Sequence, residues 1–321
     1  MQWKSTQYLV NYFDFGFVKR GVVGTLFSML KISQLKGAII VMSVALFGIF
    51  LMVVYIGLYK IPPGDDRRES VDIIKTVVAL SPFTAFQFSY DMGRFDLINI
   101  ILLIVALHLV KLRQLGLTTV ISVLALLIHE AFFVYGIPLI VAFALQGRNK
   151  NDPNSYSLKL VAYVSSVACV AVLIYLYGSS EKILKSDLGI GGVAWSRAVL
   201  QPNFDLSVIE AGLCILILMG LYGWLYHFYK KNNGRIDWIF LATLAPLSLF
   251  LLGLDYARWC SLIFCTVLIA VALKVLQSKW IINMDKAGWI ILLFMMPVGP
   301  VGVTEFFPVL KSVTAGLSGL F

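Results

Sequence analysis

The chain has 321 residues, 60% of them hydrophobic and only 13% charged, with a mean hydropathy of +0.88. That leaves too little polar surface to cover a soluble globule, so the composition reads as an all-α, polytopic integral membrane protein. The net charge of +9 does not point to nucleic acid, because the basic residues sit in short loops between apolar runs, the pattern that orients membrane spans.

The first 36 residues read as an N-terminal interfacial segment. They lack a basic start followed by an apolar run and a small-residue cleavage site, so the first true span is expected to direct insertion. Within them, FDFGFVKRGVVG carries Asp14, Lys19, Arg20 and two glycines. As a short basic amphipathic stretch it could dock anionic headgroups, or Lys19 and Arg20 could join a site on the same side. An apolar run at 37–59 is the first span, and IPPGDDRRES at 61–70 breaks the chain before a weaker run at 71–90 that carries Asp72, Lys75 and Pro82.

SYDMGRFD follows, with Asp91, Arg94 and Asp96, and then a short run at 97–111. The stretch 116–146 is too long for one comfortable span and too short for two ideal ones. Because His129 and Glu130 sit near its middle, two short tilted helices meeting at that pair are expected. Further runs lie at 159–178, 207–229, 237–254, 259–275 and 287–304, with an outer-side loop at 178–206 and a tight LDYARW turn that carries Asp255 and Arg258. Together these make about ten transmembrane or partly spanning helices, in one membrane domain covering 1–321. Cys169, Cys214, Cys260 and Cys265 fall inside apolar runs without CxxC spacing, and read as small hydrophobes.

If all the segments span, five consecutive loops on one side each carry at least two lysines or arginines, which makes that side cytoplasmic. The three charged clusters then share the opposite, outer face. If 71–90 does not span, the N-terminus moves to the inside while the clusters stay out. Ionisable groups in a membrane are costly and are functional candidates by default, and a shared hydrated cavity lowers the cost of each. The three clusters are therefore expected to meet.

The chemistry follows from residue type. Asp91 and Arg94 are three apart, with Asp96 one turn on. Two carboxylates flanking a guanidinium can hold a divalent ion or a sugar hydroxyl while the arginine takes a phosphate bidentately. Adjacent His129 and Glu130 diverge by about 100° on a helix and cannot chelate as an i, i+4 pair does. Position 133 is Phe, so HExxH is absent. A glutamate at the end of an apolar helix is expected to have a raised pKa, which suits a general base. Arg258 is the phosphate-binding candidate of the third cluster. No Walker A loop, GxSxG elbow, Rossmann fingerprint, channel filter or arginine ladder occurs.

The layout of charge, with DMGRFD, HE and DYARW at the outer ends of spans, resembles the C-type superfamily of membrane glycosyltransferases and the related polyprenyl-linked (O-antigen type) polysaccharide polymerases. A long first outer loop with an Asp-x-Asp pair and a large soluble outer domain are both missing, so the compact size is closer to a polymerase-like or small transferase member. The resemblance implies a polyprenyl-phosphate-linked sugar donor and a glycan or lipid-linked acceptor. It also implies a place in cell-envelope synthesis at a bacterial inner membrane, with the site facing outward. It assigns Glu130, Asp91 and His129 to catalysis, and Arg94, Arg258, Asp96, Asp255, Lys19 and Arg20 to substrate binding. A divalent cation at Asp91 and Asp96 is open, although arginines alone could suffice. The competing reading is a non-enzymatic carrier or flippase for a lipid-linked sugar or another anion.

Overall fold

The computed structural model describes residues 7–32, 35–57, 67–80, 93–147, 153–178, 208–232, 234–251, 256–278 and 280. Among them every regular element is helical and none is a strand. After a 3-10 turn at Gln7–Leu9 come α1 (Tyr12–Phe15), α2 (Gly21–Met29) and α3 (Leu35–Met52), the last running into a π-helical turn at Val53–Gly57. Then follow α4 (Arg67–Leu80), α5 (Asp96–Lys111), α6 (Leu115–Ile128), α7 (Phe132–Tyr135), α8 (Ile137–Gln146) and α9 (Pro153–Tyr177). The last described elements are α10 (Val208–Lys231), α11 (Trp238–Leu244), a 3-10 helix at Ala245–Leu251 and α12 (Tyr256–Ser278). The run at 287–304 and most of the 178–206 loop lie outside the described residues. The chain divides into two compact units: Met1–Val53 with Met92–Gln201, and Val54–Asp91 with Pro202–Phe321.

Three helices are long and apolar enough to cross a bilayer: Lys36–Tyr55, Tyr156–Tyr177 and Arg258–Val275. The ten expected segments are thus only partly matched by spanning helices among the described residues. Two physical reasons are visible. The run at 237–254 is not one helix, because Pro246 has no backbone N–H and the chain tightens into a 3-10 helix at Ala245. The run at 116–146 splits at the His-Glu pair, as its length suggested, into α6 and a pair of short helices. Fourteen residues make α6 about 21 Å long at 1.5 Å per residue, short of the roughly 30 Å bilayer core.

In the first unit α5 and α6 form an antiparallel pair. Arg113, at φ 62°, turns the chain between them, and its amide and those of its neighbours bond the last carbonyls of α5. α9 packs on α6, where Ser122 and Tyr163 share a buried 3.0 Å hydrogen bond, while α3 and α8 pack on α5 and α2 on α6. α3 and α9 expose Val41, Val44, Met52, Leu158, Val161 and Val172, apolar side chains suited to lipid.

At one end of this unit, Tyr8, Val23, Phe27, Ile39, Phe95 and Ile128 form a single core cluster. It joins the N-terminal segment, the start of α3, the residue before α5 and the last residue of α6. The Lys19 amide donates to the Gly178 carbonyl at 2.7 Å, so the end of α9 reaches the same place. The N-terminal segment therefore lies at the end of this unit that holds Phe95 and the HE motif.

The second unit is built around α12. Every residue of its Arg258–Val275 window is buried, against α4, α10, α11 and the following 3-10 helix. Its uniform apolarity thus serves helix packing. Cys260 and Cys265 are buried free thiols there, and in the first unit Cys169 is an exposed one on α9. α4 begins at Arg67, earlier than the expected run, and Lys75 is buried with its ammonium 3.6 Å from Asp72. Lys274 pairs with Asp237, and Trp280 packs edge-on against Phe228 and Tyr229.

Candidate functional site

The end of the first unit that gathers the motifs starts from an apolar floor. Phe95 and Ile128 are both buried in one cluster, so the residues beside them in sequence, Arg94 and Asp96 on one side and His129 and Glu130 on the other, are placed around that floor. Gly93 has φ 90°, a conformation L side chains rarely adopt. It is followed by Arg94, which is buried, and by Asp96 in the first turn of α5, where the helix dipole favours a carboxylate.

α6 ends because His129 is extended, at φ −156° and ψ 117°. Its own amide still bonds the Ala125 carbonyl at 2.8 Å. Asn99, fully buried on α5, completes the break by donating through Nδ2 to the carbonyls of Ala125 and His129, each at 3.1 Å. Two carbonyl acceptors require the amide nitrogen at that position, which fixes the orientation of the side chain. The Asn99 Oδ1 is buried and makes no hydrogen bond among the described residues.

His129 is buried, and its Nδ1 accepts the Ala131 amide at 3.1 Å. Nδ1 also lies 3.7 Å from the Glu130 carboxylate, and Nε2 is the ring's other polar atom.

Glu130 lies in the break, outside either helix. Arg20 reaches it from 110 residues away in sequence and donates twice, from Nη2 to Oε1 at 2.6 Å and from Nε to Oε2 at 3.1 Å. This is the fork-to-fork geometry of a bidentate pair. The Arg20 side chain is 14% exposed and that of Glu130 35%. Arg20 itself is left-handed, at φ 62°, just before α2. Such a conformation costs about 1–2 kcal/mol for a side-chain-bearing residue, and is held by the Lys19–Gly178 bond and by α2. Gly24 lets α2 lie against the first turn: a Cβ there would overlap the Val10 carbonyl.

The expectation of a raised Glu130 pKa is overturned. Burial does push it up, but the Arg20 charge, the neighbouring His129, the Arg20 hydrogen bonds and a backbone hydrogen bond together outweigh burial and hold the carboxyl well below its ordinary range. As it stands, Glu130 is a stable carboxylate and a weak base.

Of the sequence-derived residues, Glu130 is in reach of both Arg20 and His129, Arg94 and Asp96 adjoin Phe95 of the same core cluster in sequence, and Lys19 is joined to the end of α9 through its backbone. Arg258 belongs to the second unit, where it is buried in the first turn of α12 with its guanidinium 4.8 Å from the Trp259 ring. Asp91 and Asp255 lie outside the described residues. Among the described residues no group of three or more His, Cys, Asp or Glu side chains could hold a metal ion, and no step below is assigned to one. Asn99 was not foreseen. Its only signal was an amide one turn after Asp96 in an otherwise apolar helix. No family model, curated protein or solved structure matches the chain.

Proposed function

We propose that the chain is a membrane glycosyltransferase, of the transferase or polysaccharide-polymerase kind, that uses a polyprenyl-phosphate-linked sugar at the Arg20–Glu130 end of the first unit. The observation that carries this reading is the pair itself. Arg20, a carboxylate and a histidine meet in a helix break beside long apolar helices, where a lipid tail can lie while its phosphate reaches a guanidinium group. Arg94 is buried next to Phe95 of the same core cluster.

The chemistry needs little more. A carboxylate takes the proton of an acceptor hydroxyl, and that oxygen bonds the anomeric carbon. The bond from that carbon to the phosphate oxygen breaks, and its electron pair leaves on the lipid phosphate, where arginine receives the charge. Arg20 and Arg94 are the phosphate ligands, Glu130 is the base, and the Nε2–H of His129 is a donor to substrate oxygens. The site faces the side opposite the basic loops.

The test is transfer by the purified full-length protein in vesicles. A polyprenyl-phosphate-linked sugar and a glycan acceptor should give extended glycan and released polyprenyl phosphate in equal amounts. Movement of the lipid-linked sugar across the bilayer without product would instead establish the carrier.

A further inference from the structure

Resting on that reading, a further property of the same site follows from how Glu130 is held. A base that is locked to a guanidinium cannot accept a proton, yet this pair is not sealed: the carboxylate side chain is 35% exposed and the guanidinium 14%. The Arg20 main chain is fixed by the Lys19–Gly178 bond and by the packing of α2, through Gly24, against the Val10 backbone. Its side chain is the part that can move, and the planar fork that fits a carboxylate fits a phosphate equally well.

We propose that the phosphate of the lipid-linked substrate draws Arg20 away from Glu130, so that the carboxylate becomes a base only once substrate is seated. The pair is thus a substrate-operated latch. Among the described residues, the charged and titratable groups near the break include Lys19, beside Arg20 in sequence, Arg94 and Asp96, one of each sign, leading into α5, and His129, which accepts the Ala131 amide. α7 contributes Tyr135, α8 no charge, and the last turn of α9 the exposed Tyr175 and Tyr177. With Arg20 engaged elsewhere, the largest influence that lowers the Glu130 pKa is withdrawn, and burial and the incoming anion both favour the protonated form. The acceptor is then deprotonated only beside a donor.

Difference infrared spectroscopy of the full-length protein in phosphatidylcholine vesicles tests this, with the protonated-carboxyl band assigned to Glu130 by its loss in Glu130→Gln. Titrated with pH, that band should appear at least about two units higher when polyprenyl phosphate is present, a hundredfold change in protonated fraction. Polyprenol without the phosphate should leave it unmoved. Inorganic phosphate moving it as far would place the whole effect in the phosphate, and no movement with that ion would show that the lipid is needed to deliver it. Arg20→Gln should raise the midpoint without ligand. If that variant misfolds, Arg20→Lys, which keeps charge but loses the second donor, should raise it by a smaller amount. An unchanged midpoint with polyprenyl phosphate, or an equal shift with polyprenol, would overturn the latch. Because no sugar is transferred in this measurement, a shift without turnover would sink the transferase reading alone, and turnover without a shift would sink the latch alone.

Discussion

Among the described residues, each unit shows a cation–carboxylate pair that joins distant segments, and the two pairs are built differently. In the second unit Lys274 meets Asp237 with side-chain exposures of 6% and 23%. The Asp237 Oδ1 already accepts the Tyr229 hydroxyl and the Phe240 amide, each at 3.1 Å, the latter as the N-cap of α11. The Lys274 ammonium lies 5.6 Å and 5.1 Å from the Tyr229 and Trp280 rings, in reach of their π faces. Charge, cap and aromatic packing are all satisfied by the chain itself. Arg20 and Glu130 carry a similar charge pairing but meet at a helix break, partly exposed, and Arg20 is itself the strained residue. The first arrangement locks helices together, whereas the second presents charge. Position and surroundings, not the ion pair alone, separate a structural knot from a site.

The largest effect should come from undoing the knot. Lys274→Met leaves Asp237 without its cation and should lower stability by about 3–5 kcal/mol, the range for a broken buried pair, read as reduced resistance to denaturing detergent. Activity per folded molecule should be unchanged. Stability unaffected by Lys274→Met would remove the contrast between the two pairs. Next in size is Gly24→Ala, which forces a Cβ against the Val10 backbone. An overpacking cost of about 1–3 kcal/mol should lower the melting temperature and, by displacing Arg20, reduce turnover as well.

The smallest effect belongs to the Arg20–Glu130 pair as a source of stability. A double-mutant cycle should give a coupling on the order of 1 kcal/mol, since the carboxylate is a third exposed and screened. The sign with pH is fixed by the depressed Glu130 pKa. The coupling is fully present above the ordinary carboxylate value of 4.5 and fades only as pH falls below it towards the depressed one. A coupling that grew on acidification would mean that Glu130 is held protonated.

Much of this was legible in the residues. The helical character, the break in 116–146 and the candidacy of Arg20 and Glu130 all follow from apolar run lengths and from the cost of charge in a bilayer. What could not be read depends on partners remote in sequence. The expected raised pKa of Glu130 weighed burial without Arg20, which lies 110 positions away. Asn99 matters through two carbonyls on another helix, and no local pattern in INIILL announces that. Lys274 counted only as one of the basic residues that orient the chain, yet its main partners are Asp237 and an aromatic cage. Pro246 was readable as a helix breaker inside 237–254, but the hydropathy of that run concealed it.

The central claim, that the helix break of the first unit does chemistry, is tested most directly by one variant. Glu130→Gln keeps the shape of the side chain and one acceptor for Arg20 but removes the base. Measured as glycan formed in membranes holding equal amounts of folded protein, its turnover should fall by about a hundredfold or more, the usual contribution of acid–base catalysis, while binding of the polyprenyl-phosphate-linked donor is retained. Wild-type turnover in Glu130→Gln would contradict the account.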